Sequence, residues 1–381
     1  MNTSSDNQLT DDPALLQAML AEQRASDLKF HTTNYWKKYE KRFLPYLEVH
    51  GLKGFRSGVY ASGGEVLRSF GASDAPIIRN RKMPLPVRIV NRLLRRAGLV
   101  GLALRLSKRF ARLDSAELTK RQDQMLATVR AVKRGTGAKP VEEIDVSSIG
   151  EPGNAFVYQG NMVTPAALYY YMRYAFVSRM VDFDRLKVFV ELSSGSGKQA
   201  ELLAKLHPHL ALVLFDIPPQ LYVAHQYLSA VFPGRVVRFA ADAHLDPDLS
   251  FEPGKIYLFG NWQIDVLRTK QVDLFWSAAS LGEMEPDIAQ YYLGIANECA
   301  AHIYLMQKMD GKEVARRPGS HGVLSKVTIE HYHAALSDFV LAHHEPAFRP
   351  EGTMVGQGYE DSFWSRQTSN RTEISSDGRA S

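Results

Sequence analysis

The sequence of 381 residues is poor in cysteine and in long apolar runs. Cys299 is its only cysteine, so a disulfide within the chain is impossible and a zinc site built from several cysteines is excluded. No stretch reaches roughly eighteen consecutive apolar residues, which argues against a membrane-spanning helix. Residues 1–13 are polar and acidic, unlike a secretory signal. These absences favour a reducing, cytoplasmic setting.

Negative charge is missing from one segment of the chain. Between Ala75 and Leu113 there are eleven Lys or Arg residues and no Asp or Glu, although the net charge of the whole chain is only +5. Leucines recur between the arginines with helical spacing, which predicts a basic amphipathic segment over 79–112.

Three interpretations of the basic segment 79–112 remain open. It could contact an anionic membrane, which would place the protein at the inner membrane surface and near a lipid-linked glycan. It could attract a phosphorylated or nucleotide-linked acceptor. It could also pack on the rest of the protein with its arginines in solvent. No interleaved aromatic pattern accompanies the charge, so nucleic acid is not an expected partner.

The first part of the chain is predicted to be mainly helical. A disordered segment is expected over 1–12, followed by a helical region over 13–148 that ends in a stretch rich in glycine, proline and serine. The helices predicted in this region are Pro13–Leu47, Val87–Leu113 and Ser115–Lys133.

From residue 149 to residue 366, short apolar runs alternate with helices. This pattern is typical of an α/β domain built on a parallel sheet. The runs predicted as parallel strands are Val188–Val190, Ala211–Phe215, Ile256–Phe259, Val272–Trp276 and Ile303–Met306. Phe339–His343 and Tyr359–Trp364 predict a closing antiparallel hairpin, and 367–381 is expected to be a disordered tail.

A glycine-rich turn follows the first of these strands. Gly195 and Gly197 let the backbone approach a ligand at the carboxyl edge of the sheet, where open α/β sheets bind their ligands. Asp216 ends the next strand, nineteen residues after Gly197, where a carboxylate can accept both hydroxyls of a ribose. The same spacing fits the dinucleotide fingerprint of NAD enzymes. Glu191, an acid at the end of the first strand, and the lack of a third glycine for a pyrophosphate favour S-adenosylmethionine.

Three blocks of the sequence resemble a bacterial family of sugar O-methyltransferases. They are Val190–Gly197, Phe215–Leu228 and Asp273–Asp287. The first block is generic to class I methyltransferases, whereas the second and third are more specific. The resemblance covers about 149–366 and implies a Rossmann-like class I methyltransferase sheet, mostly parallel with an antiparallel C-terminal hairpin. It also implies S-adenosylmethionine as the cofactor and methyl transfer to a sugar hydroxyl of a surface polysaccharide or a glycosylated natural product.

The residues expected to bind the cofactor follow the strand ends. They are Glu191, Ser193, Gly195, Gly197, Asp216, Ile217, Asn261, Trp262, Gln263 and Ser277. Ser193 stands where a glycine is usual, so we expect that position not to need a positive φ. We favour Ile256–Phe259 over Val236–Phe239 as the third strand, which places 261–263 beside the adenine. Trp262 would offer a stacking face, with an ordinary core tryptophan as the alternative.

Transfer of a methyl group to a hydroxyl needs a group that removes the hydroxyl proton. Glu283, in the loop after the fourth strand, is expected to be this base or an anchor for sugar hydroxyls. His321 is a second candidate, since histidine titrates near neutral pH. Glu283, Glu285 and Asp287 could offer oxygens to a divalent metal, but acids at a helix start more often cap it, so no metal site is predicted. A methyltransferase for a non-sugar small molecule, an NAD-dependent oxidoreductase and a membrane-binding module remain as alternatives.

Overall fold

The computed structural model describes residues 9–52, 55–56, 84–99, 102–103, 106, 115–246, 248–347 and 358–367. Their N-terminal part is helical, with α1 (Pro13–Ala25), α2 (Asn34–His50), α3 (Leu85–Arg96) and α4 (Ser115–Lys133). The single helix predicted over Pro13–Leu47 is wrong, because 26–33 interrupts it. Ser26 is extended, and its hydroxyl donates to the Gln23 carbonyl (2.7 Å), which ends α1.

The residues just before α1 are ordered, contrary to the predicted disorder over 1–12. Asp12 caps α1 by accepting a hydrogen bond from the Leu15 N–H at 3.0 Å, and Pro13 occupies the first helical turn. Asp11 accepts from the Leu52 N–H at 2.9 Å. Residues 1–8, and all but the first residue of the predicted tail 367–381, lie outside the described residues.

The basic segment 79–112 falls only partly within the described residues. Helix α3 ends soon after Arg96, where Gly98 adopts φ +75°, a conformation that suits glycine and terminates helices. The predicted helix over Val87–Leu113 is therefore confirmed from Val87 to Arg96. Beyond Gly98, the described residues 102–103 and 106 are again helical, whereas 100–101, 104–105 and 107–114 are not described. None of the described helices is long and apolar enough to cross a membrane.

The remainder of the chain forms a sheet with helices between its strands. A small antiparallel hairpin, β1 (Phe156–Tyr158) and β2 (Asn161–Val163), precedes it. The sheet strands are β3 (Val188–Leu192), β4 (Ala211–Asp216), β5 (Ile256–Gly260), β6 (Val272–Ala278), β7 (Ala300–Lys308), β8 (Phe339–Pro346) and β9 (Tyr359–Arg366). The later helices are α5 (Pro165–Val177), α6 (Lys198–Leu206), α7 (Pro218–Val231), α8 (Pro286–Cys299) and α9 (Ile329–Ala335).

The strand order is β5-β4-β3-β6-β7-β9-β8. The first five strands in this order are parallel, and β9 lies antiparallel between β7 and β8. The Rossmann-like class I methyltransferase sheet with its antiparallel C-terminal hairpin is therefore confirmed. The choice of Ile256–Phe259 as the third strand is also confirmed, since β5 pairs with β4, whereas Val236 makes only an isolated bridge to Ile256.

Residues 9–52, which we call the N-terminal cover, pack across the carboxyl edge of this sheet. The Asp12 N–H donates to the Tyr222 hydroxyl on α7 at 2.8 Å. The Gln23 amide donates to Asn261 after β5 at 3.4 Å. The Thr33 hydroxyl donates to the Glu283 carbonyl after β6 at 2.9 Å. The helical N-terminal part thus lies over the edge at which α/β sheets bind ligands.

Candidate functional site

The turn between β3 and α6 has the backbone conformation of a ligand-binding loop. Gly195 and Gly197 adopt φ +59° and φ +76°. A Cβ atom on Gly197 would lie 2.7 Å from the Leu228 side chain, so only glycine fits there. Ser193 also has a positive φ, +64°. The expectation that this serine would avoid a positive φ is wrong, and the turn therefore keeps the glycine-like geometry at the cost of local strain.

Asp216, at the end of β4, links its own strand to the glycine turn. Its two carboxylate oxygens accept hydrogen bonds from the Gly195 and Ile217 N–H groups, each at 2.7 Å. The side chain is only 6% exposed. Burial and, to a smaller extent, Glu283 raise its pKa to about 7, against the lowering effect of these two N–H groups. A carboxylate has about four lone-pair sites, so acceptor capacity remains for a ligand's hydroxyls.

Glu191, in β3, is the second acid of the turn. It is 4% exposed, and its Oε2 atom is buried without a hydrogen-bond partner among the described residues. Burial raises its pKa well above the ordinary value, Arg173 lowers it and Asp216 raises it. An unpaired buried carboxyl oxygen is costly. A cationic ligand group would relieve this cost.

Ser277 and Ile217 lie at the neighbouring strand ends. Ser277, at the end of β6, pairs with Leu192 in β3, and its hydroxyl shares a 2.9 Å hydrogen bond with Ser280. Ile217 precedes α7 and contributes its backbone N–H to Asp216. The structure thus brings these two residues to the rim of the same site.

Asn261 and Gln263, which are expected to lie beside an adenine, have their polar groups engaged within the protein. The Asn261 amide donates to the Phe30 carbonyl at 2.8 Å and to the Tyr292 hydroxyl at 2.9 Å. Gln263 accepts from the Gly260 N–H at 2.9 Å and donates to the Ala240 carbonyl at 3.0 Å. Asn261 therefore holds the N-terminal cover, and Gln263 fixes the turn after β5.

Trp262 lies between these two amides in the sequence but differs from them. Its ring covers Gly260, where an added Cβ would come within 2.3 Å of the indole. The indole Nε1 is buried without a partner among the described residues. Together with Asp242 and Val266, Trp262 lines an open groove of about 320 Å³. A flat ligand in this groove could pack against the indole ring.

Glu283 forms a buried ion pair that the sequence analysis did not foresee. Its carboxylate accepts from the Lys312 ammonium at 2.8 Å, and the Trp36 and Tyr35 side chains also hydrogen-bond to it. Burial raises the Glu283 pKa, while Lys312 and these donors lower it. For Lys312, burial lowers the pKa but Glu283 raises it, so the ammonium stays charged. Isolated aromatic and lysine residues far apart in the sequence carry no motif that could have revealed this cluster.

His321 lies at the edge of the same region. Its ring is exposed, with its centroid 5.4 Å from that of Tyr35 and 6.5 Å from that of Tyr39. The Asn34 side chain donates to the Gly322 carbonyl at 2.8 Å and so holds this loop against α2. His321 is therefore separated from Glu283 by Tyr35, on the solvent side of the cluster.

The three acids considered as metal ligands do not converge. Glu285 occupies the N-cap position of α8, but its carboxylate accepts from the Leu324 and Ser325 N–H groups and makes no capping bond to the helix. Among the described residues, the group with metal-ligand spacing is instead Asp184, His207 and His209. Asp184 precedes β3, and His207 and His209 precede β4, so the group lies at the amino edge of the sheet. The His207 nitrogens are already engaged, with Asp184 and with the Tyr174 hydroxyl.

Comparisons with known proteins give only distant structural likenesses. The pyocyanin biosynthetic protein PhzM is 16% identical, with a TM-score of 0.34 over 50% of this chain and 53% of its own. The mitomycin 7-O-methyltransferase MmcR is 11% identical, with a TM-score of 0.35 over 53% and 57%. Magnesium protoporphyrin IX methyltransferase from Synechocystis PCC 6803, with bound SAM, is 12% identical, with a TM-score of 0.32 over 49% and 72%. This chain spans little more than half the length of the first two proteins.

No protein-family model matches the chain, and no curated protein is similar to it in sequence. At these identities and TM-scores, the structural likenesses carry no information about activity. The function of this chain is therefore inferred from its strand order and its site residues.

Proposed function

We propose that this protein is an S-adenosylmethionine-dependent O-methyltransferase. The observation that carries the proposal is the pair of buried carboxyls, Glu191 and Asp216, at adjacent strand ends around the glycine turn. S-adenosylmethionine presents an ammonium, a sulfonium and two ribose hydroxyls, all of which interact favourably with carboxylates. NAD would bring two phosphates to the same turn, and like charges repel in a low-dielectric site.

The residues present fit this cofactor in three places. The unpartnered Oε2 of Glu191 suits the ammonium, and the remaining lone pairs of Asp216 suit the ribose hydroxyls. The groove beside Trp262 suits a nucleobase, which can pack against the indole ring. When bound, S-adenosylmethionine supplies an activated methyl group for in-line transfer to an oxygen.

We assign the acceptor site to the cluster formed by Glu283, Lys312, Tyr35 and Trp36. A sugar hydroxyl is the proposed acceptor, which the resemblance of Phe215–Leu228 and Asp273–Asp287 to sugar O-methyltransferases supports. Aromatic faces pack against the C–H face of a sugar ring, and charged groups hydrogen-bond its hydroxyls. A non-sugar small molecule with a hydroxyl is the alternative acceptor, because aromatic and charged side chains also bind phenols.

The proton of the acceptor hydroxyl needs a destination during transfer. Glu283 is already hydrogen-bonded to Lys312, so an acceptor hydroxyl must share or replace one of its donors. The raised pKa of Glu283 increases its basicity relative to an exposed carboxylate. His321 is the alternative base, reached only if the acceptor extends past Tyr35.

Calorimetric titration of the full chain with S-adenosylmethionine, S-adenosylhomocysteine and NAD tests the cofactor. We expect the first two to bind and NAD not to bind. Asp216→Ala should weaken binding at least tenfold, because one charge-assisted hydrogen bond contributes about 1.5–3 kcal/mol. The exposed Asp287→Ala is the matched control and should bind normally. Binding of NAD alone would refute the proposal.

Transfer of radiolabelled methyl groups to a panel of sugars, nucleotide sugars and phenols tests the acceptor. We expect incorporation into sugars, and incorporation into phenols alone would favour the alternative. Glu283→Gln should leave cofactor affinity unchanged and reduce turnover by roughly a hundredfold, within the range typical of a general base. His321→Gln is the comparison variant, and a larger loss there would transfer the role to His321.

A further inference from the structure

Helix α3 presents its apolar side to solvent. Leu85, Ile89 and Leu93 follow one another at four-residue spacing, so they lie on one face of the helix. Their exposed fractions are 62%, 53% and 57%, and Val90 beside them is 47% exposed. Among the described side chains of α3, the most buried is polar, since Asn91 is only 4% exposed, and Val87 and Leu94 are half-buried beside it. An amphipathic helix packed on a core shows the opposite arrangement.

The cations of α3 form a strip beside this apolar face. Arg88, Arg92 and Arg96 also repeat every four residues, and all three are exposed. The sequence from Ala75 to Leu113 contains no acid that could neutralise them. Around the helix, the apolar face therefore has the arginine strip on one flank. The sector containing Asn91, which lies against the protein, is on the other flank.

This arrangement distinguishes between the possible partners of α3. A phosphorylated small molecule or a nucleic acid would use the arginines but would leave the leucine face in water. Packing of this face against the described part of the chain is contradicted by its exposure. A bilayer with anionic headgroups satisfies both features, because the apolar face enters the acyl boundary while the arginine side chains reach the phosphates.

We propose that the α3 face made by Leu85, Ile89, Val90 and Leu93, with the strip Arg88, Arg92 and Arg96, docks on an anionic phospholipid bilayer. The helix lies flat in the headgroup region, with the Asn91 side holding it to the protein. Leu99 and Leu102 continue the exposed apolar surface beyond α3, each 54% exposed. The protein is then a peripheral membrane protein, whatever acceptor it methylates.

Flotation of the full chain with lipid vesicles tests the proposal. Vesicles of phosphatidylcholine with roughly one third phosphatidylglycerol should carry the protein upward, and pure phosphatidylcholine vesicles should not. Replacing Arg88, Arg92 and Arg96 together by Gln should weaken binding roughly a hundredfold, because each contributes about fivefold at the membrane surface. Arg185→Gln is the matched control, since its side chain is 87% exposed and lies outside the helix.

A second pair of variants tests the apolar face. The double replacement Ile89→Glu with Leu93→Glu should abolish flotation, whereas Val157→Glu, at a site 75% exposed on β1, should not affect it. Circular dichroism and thermal unfolding of each variant confirm that it is folded. The proposal is overturned if the wild-type protein stays at the bottom of the gradient, or if the double variant floats equally well. Binding to single-stranded oligonucleotides without binding to vesicles would overturn it in favour of nucleic acid.

Discussion

The ligand-free protein should lose stability as the pH rises, because Asp216 must ionise inside the folded protein. Its pKa rises from an ordinary 3.8 to about 7 on folding. Between these two values the folded state holds a proton that the unfolded state has lost, so stability falls with increasing pH. The full difference corresponds to about 4 kcal/mol at 1.36 kcal/mol per pH unit. Between about pH 5 and about pH 8 the expected loss from this group is about 2.5 kcal/mol.

Urea unfolding of the wild type and Asp216→Asn at several pH values isolates this contribution. Asparagine cannot ionise, so the variant should not show the loss of stability that Asp216 causes as the pH rises. Asp216→Asn should also be less stable than the wild type at low pH. Its amide N–H₂ group faces one of the two backbone N–H groups that donate to Asp216 in the wild type, and two facing donors cannot form a hydrogen bond. The lost hydrogen bond costs about 1–3 kcal/mol. The two stability profiles should therefore converge as the pH rises.

Asp287→Asn, which removes an exposed carboxylate, is the control and should follow the wild-type profile. Parallel profiles for the wild type and Asp216→Asn would refute the reasoning, since they would mean that Asp216 titrates alike in the folded and unfolded states.

Three further predictions concern the same site. Ser193→Gly should stabilise the protein by about 0.5–1 kcal/mol in thermal or urea unfolding, because it relieves the positive φ, whereas Ser193→Val should destabilise it. Glu191→Gln should stabilise the ligand-free protein at neutral pH but weaken S-adenosylmethionine binding at least tenfold by calorimetry; unchanged affinity would remove Glu191 from the ammonium site. Asn261→Ala should cost about 1–3 kcal/mol and speed amide exchange in α1, because Phe30 and Gln23 lose their partner; unaltered exchange would argue against this anchoring role.

The α/β part of the fold could be predicted from the sequence because its signals are local. Short apolar runs, the glycine turn and Pro218 at a helix start each report the conformation of their own few residues. The third strand could be chosen from the short gap between Ile256–Phe259 and Val272–Trp276. The break between α1 and α2 was missed because apolar and aromatic residues continue through it, whereas one serine hydroxyl helps to end the helix.

Site residues could be predicted from the sequence only where the backbone geometry of the strands determines their position. Gly195, Gly197 and Asp216 come together because adjacent parallel strands end at one edge. The contacts of Asn261 depend on Phe30, and the ion pair of Glu283 depends on Lys312. Such pairs are formed by packing between elements that no spacing rule connects. A polar residue at a strand end can therefore hydrogen-bond either to a ligand or to a neighbouring segment of the protein.

The position of the N-terminal cover has a consequence for how the chain reaches its native state during synthesis. Its hydrogen bonds to Tyr222, Asn261 and Glu283 join residues 210, 238 and 250 positions apart. At roughly 5–20 residues per second, a ribosome takes on the order of tens of seconds to supply these partners after the cover has emerged. Throughout that interval Leu16 and Met19, which are buried in the finished protein, have no sheet edge to pack against. The cover can therefore take its native position only after residues up to Glu283 have been synthesised, and its apolar side chains stay exposed until then.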